Sequence, residues 1–168
     1  LGLVENSTRQ LIDTYCEKIK LDFIVNVVYN RYKKIVKSFA GHFIKAHREA
    51  VADSKKIYGV NIKEKSDITI VSSYPADLDF WQAWKGIACA DLATKEGGGI
   101  ILITPCLEGI SAAHKNWPDY LAHSVEEIKR MIEKREVADF VAAGLALSVA
   151  TIISRHKLFV VSKGLNYK

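Results

Sequence analysis

The sequence predicts an α/β fold, a layered sandwich with a mainly parallel sheet and helices on both faces. Two observations carry this. Short apolar, β-branched runs alternate along the chain with segments whose apolar residues recur at helical spacing. Helix-start signals also stand where that alternation needs them. With 168 residues, 49% apolar and 26% charged types, the chain reads as one α/β domain over 1–168 that can bury a core.

Ser7-Thr8-Arg9-Gln10 has the form of a capping box, and Leu11, Ile12, Tyr15, Cys16 and Ile19 follow at helical spacing, so residues 8–20 read as an amphipathic helix. Phe23–Tyr29 and Ile35–Phe39 read as strands. A helix follows Gly41 and runs to Tyr58, with Ile44, His47, Val51 and Tyr58 on one face. Asp67–Ser72 is the next strand, and Asp79 caps a helix over 80–92.

Gly97-Gly98-Gly99 reads as a turn ending that helix, and Ile100–Thr104 as a strand. The triplet follows a helix and precedes a strand, the reverse of a dinucleotide-binding fingerprint. Ser124-Val125-Glu126-Glu127 is a second capping box, opening a helix to Arg135. An apolar helix over 138–154 and a strand over Leu158–Ser162 complete the order. Ligands of open parallel sheets gather beyond the carboxyl ends of the strands. This directs attention to the loops Asn30–Arg31, Ala40–His42, Ser73–Asp79 and Pro105–Gly109.

The charge excludes less than its sum suggests. Net charge is +5, but residues 31–65 alone hold ten Lys/Arg against three acids. Such a block suits an anionic substrate, an acidic domain or nucleic acid. No aromatic-interleaved basic motif accompanies it, so nucleic acid is not the expected partner. Cys16, Cys89 and Cys106 lack the spacing of a disulfide framework or a zinc site, which fits a cytoplasmic protein. The longest apolar run, Val137–Ile153, is interrupted by Asp139, Gly144 and Ser148 and is too short for a membrane span. Met131 is the sole methionine and Leu1 opens the chain, so it reads as a piece of a longer protein.

The segment Phe80–Ala90 is nearly all apolar, yet Lys85 stands in its second turn. A lysine there snorkels out, pairs with a carboxylate such as Asp77 or Asp79, or points into a polar cleft. The amides and positive dipole end of a helix N-terminus, with that ammonium nearby, would favour a carboxylate or phosphate. Gln82 lies three positions before Lys85 and Trp81 four, close enough to share a pocket. Asp77 and Asp79 form a D-x-D pair without a third oxygen ligand, which a turn and a helix cap explain without metal. Cys106 lacks an assigned base and reads as a structural or substrate-lining thiol. Glu108 is either a pocket carboxylate or a partner for a basic side chain. His47 reads as a core histidine bonded to backbone, and His42 as a group at a strand end within reach of a cleft. His114, His123 and His156 lack metal-ligand spacing.

Several ordered segments together resemble the C-terminal domain of the nickel-dependent lactate racemase family. They are Leu21–Val28, Ala40-Gly41 with Ala46-His47-Arg48, Tyr74-Pro75-Ala76-Asp77 leading to Trp81–Lys85, and Gly97–Ile101 followed by Cys106–Gly109. The resemblance implies a two-domain enzyme whose active site lies in the cleft between domains. A nickel-pincer nucleotide there accepts hydride from a short 2-hydroxy acid and returns it to either face of the keto acid. The tethering lysine, nickel ligand and catalytic histidines belong to the N-terminal domain of that family, so no metal role falls on this chain and the domain alone should be inactive. By the family's aromatic-Gln-x-x-Lys pattern, Lys85 holds the substrate carboxylate or oxygen, Gln82 orients the substrate and Trp81 closes the pocket. Tyr74, Asp77 and Glu108 are the further substrate-side candidates. The sequence departs from the pattern at Trp81, usually tyrosine, at Trp84, often smaller and polar, and at Ser72-Ser73, where glycine is expected. The rival reading is a non-catalytic anion-binding or docking α/β module that uses the basic block.

Overall fold

The computed structural model describes residues 4–165. The sequence reads as one domain, whereas the contacts gather into two compact units, Leu1–Asn61 and Ile62–Lys168.

The first unit contains α1 (Ser7–Lys18), β1 (Ile24–Tyr29), β2 (Ile35–Gly41) and α2 (Phe43–Tyr58). β1 and β2 pair antiparallel, Val25 opposite Ala40 and Val27 opposite Ser38. This corrects the expectation that they join a parallel sheet. Parallel neighbours need a crossover of about a dozen residues or more. Here the Asn30 side chain accepts from the amides of Tyr32 and Lys34 and closes a tight turn. The loops Asn30–Arg31 and Ala40–His42 therefore do not border the carboxyl ends of parallel strands. Val28 and Phe39 face α2 and form a small core with Ala46 and Ala50.

α1 is amphipathic but inverted. Its buried member is Asp13, while Leu11, Ile12 and Tyr15, with Ile19 at the cap, are exposed. The cause is ionic. Asp13 accepts from Arg9 at 3.0 Å and from Arg48 of α2 at 2.7 Å, and Arg48 also pairs with Glu5. Burial raises the Asp13 pKa, but the two guanidinium groups outweigh it and hold the carboxyl below its ordinary range. The cap is Asn6, whose side chain accepts from the Arg9 amide, and not the expected Ser7.

The second unit contains β3 (Ser66–Ser72), α3 (Phe80–Ala93), β4 (Thr94–Ile103), α4 (Trp117–Leu121), α5 (Val125–Glu133), α6 (Phe140–Ile153) and β5 (Lys157–Val161). Its sheet runs β3-β4-β5 and is wholly parallel. The α/β class is as the sequence predicts, although α4 was not foreseen. Ile100 and Leu102 of β4 are fully buried with α3, whereas Ile68, Ile70, Phe159 and Val161 point from the opposite face and remain exposed. Within this unit the buried core lies on the Ile100 and Leu102 face.

The glycine triplet corrects another expectation. α3 ends at Ala93 and β4 begins at once, the Thr94 hydroxyl donating to Ala90 O at 2.7 Å. The β3–β4 register passes from Ser66↔Thr94 to Ile68↔Gly99, so the triplet lies at a bulge inside the strand. A Cβ on Gly98 would come within 2.7 Å of Asp67 O and 2.8 Å of Lys95 O. Gly97 takes φ +78, which glycine adopts without penalty.

Candidate active site

The carboxyl ends of β3 and β4 are closed by two segments zipped together through their backbones. Cys106 N donates to Asp77 O, Glu108 N to Leu78 O, Phe80 N to Gly109 O and Trp81 N to Ile110 O. Beneath them Ser73 Oγ donates to Thr104 Oγ1 at 2.7 Å, and the Thr104 hydroxyl lies 3.1 Å from Cys106 Sγ. Cys106 is fully buried, and burial pushes its thiol pKa up, which suits a structural group and opposes thiolate chemistry.

α3 starts from this platform. Asp79 accepts from Gln82 N at 2.8 Å and from Ala112 N at 3.3 Å, as the sequence predicts for a cap. With Phe80 N and Trp81 N held by loop carbonyls, the first-turn amides are already bonded. An anion at this helix start must therefore be recognised by side chains.

Lys85 supplies one. It is exposed, and its ammonium donates to Gln82 Oε1 at 2.6 Å. No ion pair joins it to Asp77 or Asp79 among the described residues. An ammonium only donates, so the Gln82 oxygen must face it and the Gln82 NH2 is left for another acceptor. The pair thus presents donors alone, a surface suited to a carboxylate.

Trp81, one position before Gln82, is half-buried. Its indole stacks on His114 with centroids 4.0 Å apart and planes at 17°, and meets Trp117 edge-on at 5.0 Å. His114 Nδ1 lies 2.6 Å from Asp139 Oδ2, while Asp139 Oδ1 caps α6 by accepting from Val141 N and Ala142 N. The bond from His114, then that from Ala142, holds the Asp139 carboxyl below its ordinary range. Sequence reasoning missed this pair. The Asp139 cap was available as a signal, but nothing in the order of residues linked it to His114.

The remaining candidates are less closely joined. Tyr74 is 78% exposed, and its amide donates to Ser72 Oγ. Asp77 is half-buried and Glu108 exposed, brought near each other by the loop zipper but not hydrogen-bonded to Lys85. His42 caps α2 by accepting from Ile44 N, and so is occupied locally. His47 is half-buried beside Arg9 and Arg48, not bonded to backbone as expected. Burial and then these two guanidinium groups push its pKa down. Among the described residues no group of three His, Cys, Asp or Glu side chains could hold a metal ion. No helix among them is long and apolar enough to cross a membrane.

The lactate racemase of Thermoanaerobacterium thermosaccharolyticum is 30% identical over 171 aligned residues, covering 99% of this chain and 40% of that protein. The lactate racemase of Lactiplantibacillus plantarum is 36% identical over 110 residues, covering 64% of this chain and 26% of that protein. The solved structure of the Thermoanaerobacterium lactate racemase apoprotein matches with TM-score 0.81 at 30% identity, over 96% of this chain and 39% of that one. The chain thus spans two fifths or less of the length of these relatives. Residues 60–168 match the family described as the lactate racemase C-terminal domain, and the chain belongs to that family.

Proposed function

We propose that this chain forms the substrate-cleft half of a nickel-pincer-dependent racemase or epimerase of short 2-hydroxy acids, working by reversible hydride transfer. The observation that carries the reading is the Lys85–Gln82 pair at the carboxyl ends of parallel strands, whose ammonium is paired with no acid among the described residues and lies beside an amide whose NH2 still faces outward for an acceptor. Lys85 binds the substrate carboxylate, Gln82 orients the hydroxyl or keto oxygen, and Trp81 walls the pocket. Tyr74, Asp77 and Glu108 line its approach. Fixing a small acid in this way is catalysis by orientation and electrostatic preorganisation.

The nickel-pincer nucleotide is held by an N-terminal domain of the same protein, outside this chain. The three free cysteines support a reducing, cytoplasmic setting. For the rival docking-module reading, three cations of the basic block are already engaged, Lys37 and Lys56 with Asp53, and Arg48 with Glu5 and Asp13.

The test is Lys85→Ala in the full-length, cofactor-loaded protein. A drop in kcat/KM for lactate of at least about tenfold, or ~1.4 kcal/mol, is expected. Unchanged kinetics would remove Lys85 from the site.

A further inference from the structure

We propose that His114 is a positioning residue that immobilises the Trp81 wall, and so sets how large an α-substituent the site accepts. The inference rests on the reading of Trp81, Gln82 and Lys85 as the substrate pocket, and concerns a residue outside that motif.

Trp81 and Lys85 are four residues apart on α3 and share one helix face. Whatever carboxylate Lys85 binds, the rest of that small acid must therefore lie near the indole. A wall discriminates by size only if it cannot move. Trp117, against one side of the indole, is fully buried and packed on Phe80. His114 covers a face of the indole at 4.0 Å. The imidazole is itself fixed by Asp139 Oδ2 at 2.6 Å from Nδ1, and the backbone that carries it by Ser111 Oγ, which accepts from the His114 amide at 3.0 Å. Asp139 in turn is held by two amides of α6. An unbroken chain of contacts thus runs from the start of α6 to the wall of the site. A bond to a carboxylate anchored at a helix start fixes the ring plane more firmly than packing alone.

Removing the imidazole frees one face of Trp81 and opens space behind it. The indole can then swing, and acids with a larger α-substituent fit. A fitted apolar pocket separates substrates differing by one methylene by roughly 10–200-fold, so that discrimination is what His114→Ala should erode.

The test compares L-lactate with L-2-hydroxyisovalerate, using the full-length protein. Binding to the apoprotein is read by calorimetry, and kcat/KM is read on the loaded enzyme. His114→Ala should reduce the preference for lactate by at least about tenfold in both readouts. His114→Phe keeps a ring to stack on Trp81 and should restore most of the preference. Asp139→Asn retains a good helix cap but loosens the hold on the ring, and should give an intermediate ratio. A residue that merely stapled the loop to α6 would lower the melting temperature without changing the ratio. An unchanged ratio in folded His114→Ala and Asp139→Asn, with Lys85→Ala weakening lactate binding, overturns the inference and leaves the pocket standing. Lactate binding unaffected by Lys85→Ala overturns both.

Discussion

Lys85 donates to Gln82 Oε1 at 2.6 Å across less than one turn of α3, although acids stand nearby on the preceding loop. For Asp79 the backbone supplies a reason. Asp79 has both carboxylate oxygens occupied by amides, one from Gln82 and one from Ala112. The ammonium thus keeps its full charge for a ligand, and the neutral amide beside it is oriented without cancelling that charge.

Gln82→Glu is therefore a sharper test of the site than truncation. A carboxylate at this position would pair with Lys85 and present a negative face to an incoming 2-hydroxy acid. Lactate affinity for the full-length apoprotein, measured by calorimetry, should weaken at least about tenfold, or ~1.4 kcal/mol, with the fold retained. Equal affinity in the variant would mean that the pair does not face substrate.

Asp79 joins the helix start to the loop that carries His114. Asp79→Ala removes the cap of α3 and leaves the Ala112 amide without its partner. A loss of about 1–2 kcal/mol is expected in urea unfolding. Asp79→Asn, which still caps, should lose clearly less, and equal losses would show that capping is not its role.

In the first unit, Lys37 of β2 and then Lys56 of α2 hold the Asp53 carboxyl down to about 2, against an ordinary value of 3.8. A depressed carboxylate stabilises the fold above its unfolded pKa and loses that contribution as pH falls through the folded value. The stabilisation should thus be complete above about pH 4 and fade towards about pH 2. Stability of the wild type and of Asp53→Asn, followed by chemical denaturation, should differ at pH 6 and converge near pH 2. A constant difference throughout would show that the ion pairs do not contribute.

Much of the candidate site was legible because Trp81, Gln82 and Lys85 lie on one helix, where spacing in sequence is spacing in space. Asp79 was legible for the same local reason. The hairpin was misassigned although its signal was present, since the connection from Tyr29 to Ile35 is too short for a crossover. The glycine triplet was misread because a bulge is defined by register against β3, and register does not exist in a single strand's sequence.

The sequence by itself determined the alternation of strands and helices, most element positions, the caps at Asp79 and Ser124, and a motif in which a lysine interrupts an apolar helix. These are decided within one or two helical turns, by periodicity and by hydrogen bonds between near neighbours. Only the tertiary structure decided that α1 turns its ionic side inward, that β1 and β2 pair in a two-stranded sheet of their own, and that His114 reaches Asp139 to pin Trp81. Each of those depends on groups brought together from distant parts of the chain, and their contact energies appear only once packing has set the distances.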